Sequence, residues 1–469
     1  METDAESGEK TRPDAPLIPE NACQFGKTEE KPLKKTLITL SSLMVLTGLV
    51  AGCGAPSTAK SSSGASASTG TSAGGAKATD LAFYFPVGVA GPLAEIMTGM
   101  VNQFNQDHPG IKVTPVFAGN YQQTLAKVET AIQGGNPPAV AVLNHTAEFD
   151  LLHLQAIDPL DSVVSQGDFY PAFLKPEIQG HNWGVPFQRS TVVLYYNKDA
   201  FKKAGLNPSH GPQTWSQVVQ DGQKLEKAGY TGIEIPSDGT VYWTFEPWAT
   251  EAGQNLGSSD GAHVNFNSQA AKDALNFWMD LSHKYHVMPS GIIPWNSVPT
   301  DFESGKVGMI THSSGSLASI LKKANFNVGV SFLPKDKSQY LTGLGGGDLF
   351  LFKGISQAQH DAALTFIRWM SAPAQAAQWS LQTGYIGSSP KAYEEPAMKA
   401  YLAKHPQAKV APAQLQYAQP ELSTYQLNQV YDVIDSAIQS VMDGQASVNS
   451  ALDKAQQQAN SILAPYQNG

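Results

Sequence analysis

The chain has 469 residues, of which 41% are hydrophobic and 15% charged, and a formal net charge of −9. That length exceeds what one hydrophobic core organises and predicts two or three domain-sized units. An acidic balance offers no electrostatic attraction for nucleic acid, whose phosphates are bound by counter-charge. Past the N-terminal segment, no stretch approaches the ~20 apolar residues of a membrane helix.

Near the N-terminus, Lys31, Lys34 and Lys35 precede an apolar run from Leu37 to Val50, closed by Ala51-Gly52-Cys53. A basic segment, an apolar segment and small residues at a cleavage site make a secretory signal. Cysteine directly after Ala-Gly resembles a bacterial lipoprotein signal, in which the Cys53 thiol is acylated. Residues 1–52 are therefore expected to be an N-terminal extension and lipoprotein signal peptide, and the expected address is the outer face of the cell membrane. Cys23 lies in the removed part, so no thiol is left for catalysis or for a thiolate metal site. Residues 1–52 carry six basic and eight acidic residues, which leaves the remainder at −7. Residues 53–78, rich in Ser, Gly and Ala, lack any apolar pattern and read as a flexible tether.

The body alternates strands and helices. Asp80–Phe85 reads as a buried strand, Pro92–Asp107 as an amphipathic helix beginning with its proline, and Lys112–Phe117 as a second strand. This β-loop-α-β order starts a doubly wound lobe, whose ligands sit at the carboxyl ends of the strands. The loop Phe85–Ala90 and the turn Gly119-Asn120-Tyr121 are those ends. A helix Tyr121–Gln133, a strand Ala139–Leu143 and a helix Ala147–Gln155 continue the alternation. Thr191–Tyr196 is a further strand, which enters a short helix through Asn197 and Asp199. Helices follow at Thr214–Ala228 and Ala270–Tyr285, separated by an aromatic region containing Tyr242, Trp243, Phe245 and Trp248. Aromatic residues at this density serve either as core or as stacking surfaces for a ligand. A strand then ends in His312-Ser313-Ser314-Gly315, with Ser316 placed to cap a helix; hydroxyls beside free N–H groups suit an anion or a hydroxylated ligand. The run Gly343–Phe352 sets three glycines before a strand, permitting close backbone approach. Helices at Ala358–Met370, Ala372–Gln382, Thr424–Met442 and Ala446–Leu463 complete the chain.

Two enzyme-like motifs are decoys. Gly257-Ser258-Ser259-Asp260-Gly261 has the G-x-S-x-G spacing but lies in a polar loop without a strand-to-helix elbow. In Ser388-Ser389-Pro390-Lys391 the proline blocks the helical turn that would bring lysine onto serine. His145 and His153 have no third ligand near in sequence for zinc. No catalytic residue, metal or cofactor is expected; a secreted hydrolase is the remote alternative.

The wording LYYNKDAFKKAGL, then GPQTWSQVVQDGQKLEKAG, SSGSLA and QTGY followed by SPKAYE, resembles the family 1 extracellular solute-binding proteins of ABC importers, in particular their glycerol-3-phosphate-binding branch. The resemblance extends from Leu81 to Leu463. It implies a two-lobe α/β fold of the maltose-binding-protein type, with residues 79–190 and 315–357 in the N-terminal lobe and 191–314 and 358–469 in the C-terminal lobe. It also implies a ligand in the cleft between lobes, release to the importer's permease subunits, a monomer, and a membrane reached through the lipid anchor. The branch's contact residues fall on Tyr121, Ser190, Ser314, Gly346 and Tyr385, with Ser313 beside them. Tyr121 and Tyr385 are expected on opposite sides of the ligand. His145 stands where the branch carries an acid, Gly239 and Tyr242 where it carries tryptophans, and Ser423 where it carries the phosphate-binding arginine. Arg189 replaces a small residue and is the one cation these motifs offer the cleft. The resemblance implies glycerol-3-phosphate or a glycerophosphodiester as ligand; the missing arginine and the many aromatics imply a neutral sugar or oligosaccharide.

Overall fold

A computed structural model of the chain describes residues 78–174, 177–336 and 340–467. The signal, Cys53 and the tether lie outside them. The strands are β1 (Thr79–Phe85), β2 (Ile111–Phe117), β3 (Val140–Asn144), β4 (Gly184–Asn197), β5 (Thr231–Glu234), β6 (Val307–Ser313), β7 (Val328–Ser331), β8 (Thr342–Leu351) and β9 (Ala418–Gln419). Their order is β2-β1-β3-β8-β4-β6-β5, with β7 paired to β4 and β9 to β8.

The 14-residue β4 gives this order its sense. Its first half, Gly184 to Thr191, runs antiparallel to β8, which continues through β3 into the parallel strands β1 and β2. Its second half, Val192 to Asn197, leaves β8 and pairs with β6 and β7. One strand therefore belongs to two bodies, and the change falls between Thr191 and Val192. Every residue of β4 is buried, the condition of a strand covered on both faces.

Helix α1 (Leu93–Asp107) buries Leu93, Met97, Met100, Val101 and Phe104, the i, i+3, i+4 stripe of an amphipathic helix. Pro92 occupies its N-cap position rather than its first turn. Helix α2 (Tyr121–Gln133) starts with a capping box: the Asn120 side chain accepts from Gln123 N at 2.9 Å, and the Gln123 side chain accepts from Asn120 N at 3.1 Å. After β3, one helix was expected from Ala147; a short 3-10 turn, His145–Ala147, comes first, then α3 (Glu148–His153).

Two elements lie elsewhere than the expected lobe limits put them. Strand β7 falls within 315–357 yet pairs with the second half of β4. The helix Gln357–Met370 sets Phe366 edge-on against Phe83 of β1 and Phe104 of α1, each at 5.0 Å, although 358–469 was expected with the other lobe. Burial of one such phenylalanine contributes about 1.5–3 kcal/mol, so Phe366→Ala is the change that would loosen this helix. An apolar stripe says that a helix has a covered face; it does not say which sheet covers it.

The aromatic region after β5 is a helix, Val241–Ala252, buried at all 12 positions and containing Pro247. Total burial removes the polar face, and with it the periodicity that announces a helix. The glycine run lies inside β8 rather than ahead of it.

Candidate functional site

The carboxyl ends of β1, β2 and β3 converge on a cavity of about 510 Å³. One wall comes from the β1–α1 loop at Val87–Gly91, from Phe117, from Gly119 and Asn120, and from the first turn of α2 at Tyr121. The facing wall comes from Asp238–Thr240, Tyr242, Trp243, Trp295 and Ser313. Ser190 and Gly346 contribute from β4 and β8, where the two bodies meet, and Asn144, Tyr385 and Glu421 add to the lining.

Several of the aromatic groups are held by their polar atoms. Tyr121 Oη donates to Gln188 Oε1 at 2.9 Å, and the Tyr121 ring and the Tyr385 hydroxyl both border Gly88. The two tyrosines thus meet at Gly88 on the cavity wall. Burial raises the Tyr385 phenol to about 12, so both hydroxyls stay protonated donors at neutral pH. Asn144 Nδ2 donates to Tyr242 Oη at 3.2 Å, and the Tyr242 ring stacks on Tyr431 at 3.5 Å. The buried Asp435 accepts from Tyr242 N at 2.6 Å, and burial raises its carboxyl to about 8. Trp243 Nε1 donates to Leu344 O at 2.8 Å.

Trp295 joins the walls. Its Nε1 donates to Gly88 O at 3.1 Å, its backbone N donates to Asp238 Oδ1 at 2.6 Å, and its ring stacks on His312 at 3.8 Å. Burial lowers His312 to about 3. The imidazole is therefore neutral, and its nitrogens meet Ser316 Oγ at 2.9 Å and Trp295 O at 3.3 Å. Ser316 thus partners His312 and makes no side-chain cap of the following helix; Ser313 caps the intervening turn by accepting from Gly315 N at 3.1 Å.

Of the residues the sequence nominated, Tyr121, Ser190, Tyr242, Ser313, Gly346 and Tyr385 line this cavity. Three do not. Ser314 accepts from Thr191 N at 3.3 Å and lines a small space behind Tyr385. Arg189 is fully buried on the opposite face of β4, bonded through Nη1 to Asp348 Oδ1 at 3.1 Å and lying 4.9 Å over the Phe173 ring. It brings no guanidinium to the cleft, because neighbours along a strand point to opposite faces and Ser190 takes the cleft side. His145 engages Gly346 O through Nδ1 at 3.3 Å and lines a separate cavity together with Ser423. Sequence reasoning missed Trp295, Asp238 and Glu421, which lie on irregular segments without pattern. Asp238 and Glu421 are the only acidic groups on the cleft wall, and no Lys, Arg or His lines it among the described residues.

Two α/β bodies sharing a strand, with a cavity walled by both at strand carboxyl ends, define a two-lobe solute-binding protein of the maltose-binding-protein type. The chain belongs to the bacterial extracellular solute-binding proteins, whose family model matches residues 99–407. It is similar to the sn-glycerol-3-phosphate-binding periplasmic protein UgpB of Pectobacterium atrosepticum, with 30% identity over 84% of this chain and 94% of that protein. It is also 30% identical to UgpB of Yersinia enterocolitica, over 83% of this chain and 93% of the relative. Among solved structures, UgpB of Mycobacterium tuberculosis in complex with glycerophosphocholine superposes with a TM-score of 0.72 at 24% identity, covering 83% of this chain and 99% of that one. The GacH receptor of Streptomyces glaucescens superposes with a TM-score of 0.72 at 21% identity, over 83% and 100%. The chain is a solute-binding protein of an ABC importer and acts outside the cytoplasm; its family and relatives are binding proteins.

Proposed function

We propose that this protein captures a hydroxylated, non-anionic solute, a sugar or polyol, and presents it to the importer's permease after the lobes close on it, while acylated Cys53 holds it at the membrane. The observation that carries the ligand reading is the charge on the cleft wall: Asp238 and Glu421 supply carboxyl groups, and the nearby cation, Arg189, is bonded to Asp348 on the far face of β4. A phosphate entering a partly dry cleft needs charge-assisted donors. Carboxyl groups, tyrosine hydroxyls and indole faces suit sugar hydroxyls and the apolar faces of sugar rings. Because the cavity is walled from both bodies, a bound solute stabilises the form that brings them together.

A second reading, sn-glycerol-3-phosphate, is favoured by the names of the relatives at 30% identity. The N-terminus of α2 at the cavity wall supports it as well, since the positive end of a helix attracts anions. A thermal-shift screen decides between the two. A solute at about 100 times its Kd adds ~2.7 kcal/mol of stability. Disaccharides and polyols are expected to raise Tm more than sn-glycerol-3-phosphate does; a larger, salt-sensitive shift with the phosphate would overturn the first reading.

A further inference from the structure

One acidic side chain on the cleft wall stays in contact with solvent. Asp238, just ahead of the helix Val241–Ala252, is half-buried and lines the cavity. Among the described residues no Lys, Arg or His lines that cavity to balance it. Glu421, the other acid there, is buried, and burial raises its carboxyl above the ordinary carboxylate range. Burial favours the uncharged form of an acid, so the charge that a solute meets is that of Asp238.

Asp238 is fixed by its neighbours. The segment Ser237–Gly239 is fastened to Ile293–Trp295: Ser237 N donates to Ile293 O at 2.9 Å, Ile293 N to Ser237 Oγ at 2.8 Å, and Trp295 N to Asp238 Oδ1 at 2.6 Å. Thr240 N donates to Asp238 O at 2.8 Å, which closes the turn ahead of the helix. Gly239 turns at φ +74°, and a Cβ there would lie 3.2 Å from Trp295 Cβ, so the bare backbone at 239 lets the two segments lie this close. A carboxylate held through one of its oxygens does not swing away from an incoming solute.

Across the cavity it faces the positive end of a helix. Asn120, Tyr121 and the first turn of α2 stand on the opposite wall, and a helix N-terminus carries about half an elementary charge. Two N–H groups at this end are already taken, since Gln123 N donates to Asn120 Oδ1 and Asn120 N to Gln123 Oε1. At the helix Val241–Ala252, Tyr242 N is bonded to Asp435 Oδ1. An anion in the cleft therefore gains a partial charge from α2 and meets a whole charge of its own sign at Asp238. The repulsion outweighs the attraction.

We propose that Asp238 sets the charge selectivity of the cleft: its fixed carboxylate offsets the α2 N-terminus and turns away anionic solutes that the cavity would otherwise admit. The inference rests on the reading of the cleft as the solute site and deepens it, since it traces the rejection of anions to one removable charge.

The test uses the full chain and calorimetric titration with two probes, sn-glycerol-3-phosphate and maltose. Asp238→Asn removes the charge and keeps an oxygen for Trp295 N; Asn296→Lys leaves Asp238 in place and adds a cation to the same wall. With folding checked by thermal melts, each is expected to tighten sn-glycerol-3-phosphate binding about tenfold or more, and the gain should shrink between about 50 mM and about 500 mM salt. Asp238→Glu, which keeps the charge, should give no such gain. An equal gain for maltose, or a gain that salt leaves intact, would mark a steric effect and overturn the proposal. So would a folded Asp238→Asn that gains nothing or, should that variant not fold, an Asn296→Lys that gains nothing. Tighter binding of sn-glycerol-3-phosphate than of maltose by the parent would instead sink the reading of the cleft as a site for uncharged solutes; a parent that prefers maltose, with no gain in the variants, would sink the role of Asp238 alone.

Discussion

At Gly346 the backbone has φ +89°, and a Cβ would lie 1.6 Å from the Gln188 carbonyl oxygen. Only glycine lets β8 pass so close to β4 at the cavity wall. Gly346→Ala should destabilise the fold by about 2 kcal/mol or more through strain and overlap, read as a lower Tm by calorimetry; an unchanged Tm would show that β8 yields there. His312 gives a pH prediction. Its folded value of about 3 lies below the ordinary histidine value of 6.5, so the unfolded chain binds the extra proton between them. The stability tied to neutral His312 is therefore complete above about pH 6.5 and is lost as pH falls towards 3. Denaturant unfolding of His312→Gln between pH 7 and 4 should show a shallower loss than the parent; parallel curves would remove His312 as a cause. At this scale the sequence nominated six of the cavity's lining residues through motif words, yet it could not tell Ser190 from Arg189. Both faces of β4 are buried, so no alternation of apolar and polar residues marks which neighbour looks into the cleft.

Among the elements, the ones that were legible carry a pattern. Helices α1 and α2 have apolar stripes, and Asn120 with Gln123 announces the start of α2. The helix Val241–Ala252 and the segment holding Trp295 carry none, the first because it is buried all round and the second because it is irregular. Trp295 nevertheless spans the cleft through its bond to Gly88 O. Trp295→Phe keeps the ring and removes the donor. The loss of about 1 kcal/mol should shift the unliganded protein about fivefold towards an open form. Small-angle scattering should then give a larger radius of gyration than for the parent; equal radii would mean that this bond does not hold the walls together.

For the whole molecule, the two-lobe plan was legible from the order of strands and helices and from the family's wording, whereas the assignment of β7 and of the helix Gln357–Met370 was not, because it depends on which sheet each packs against. Attachment to the membrane belongs to this scale too. Cys53→Ser should move the protein from the membrane fraction to the soluble extracytoplasmic fraction on immunoblots; persistence in the membrane would point to another anchor. The shared strand has a consequence for how the molecule forms. Half of β4 belongs to one sheet and half to the other, and its partner β8 arrives more than a hundred residues later. The first body cannot complete its hydrogen-bonded ladder before the chain has returned from the second, since β8 follows β5, β6 and β7 in the sequence. The two are obligate folding partners, so loss of structure in one removes the template of the other, and the chain should unfold as one cooperative unit rather than as two.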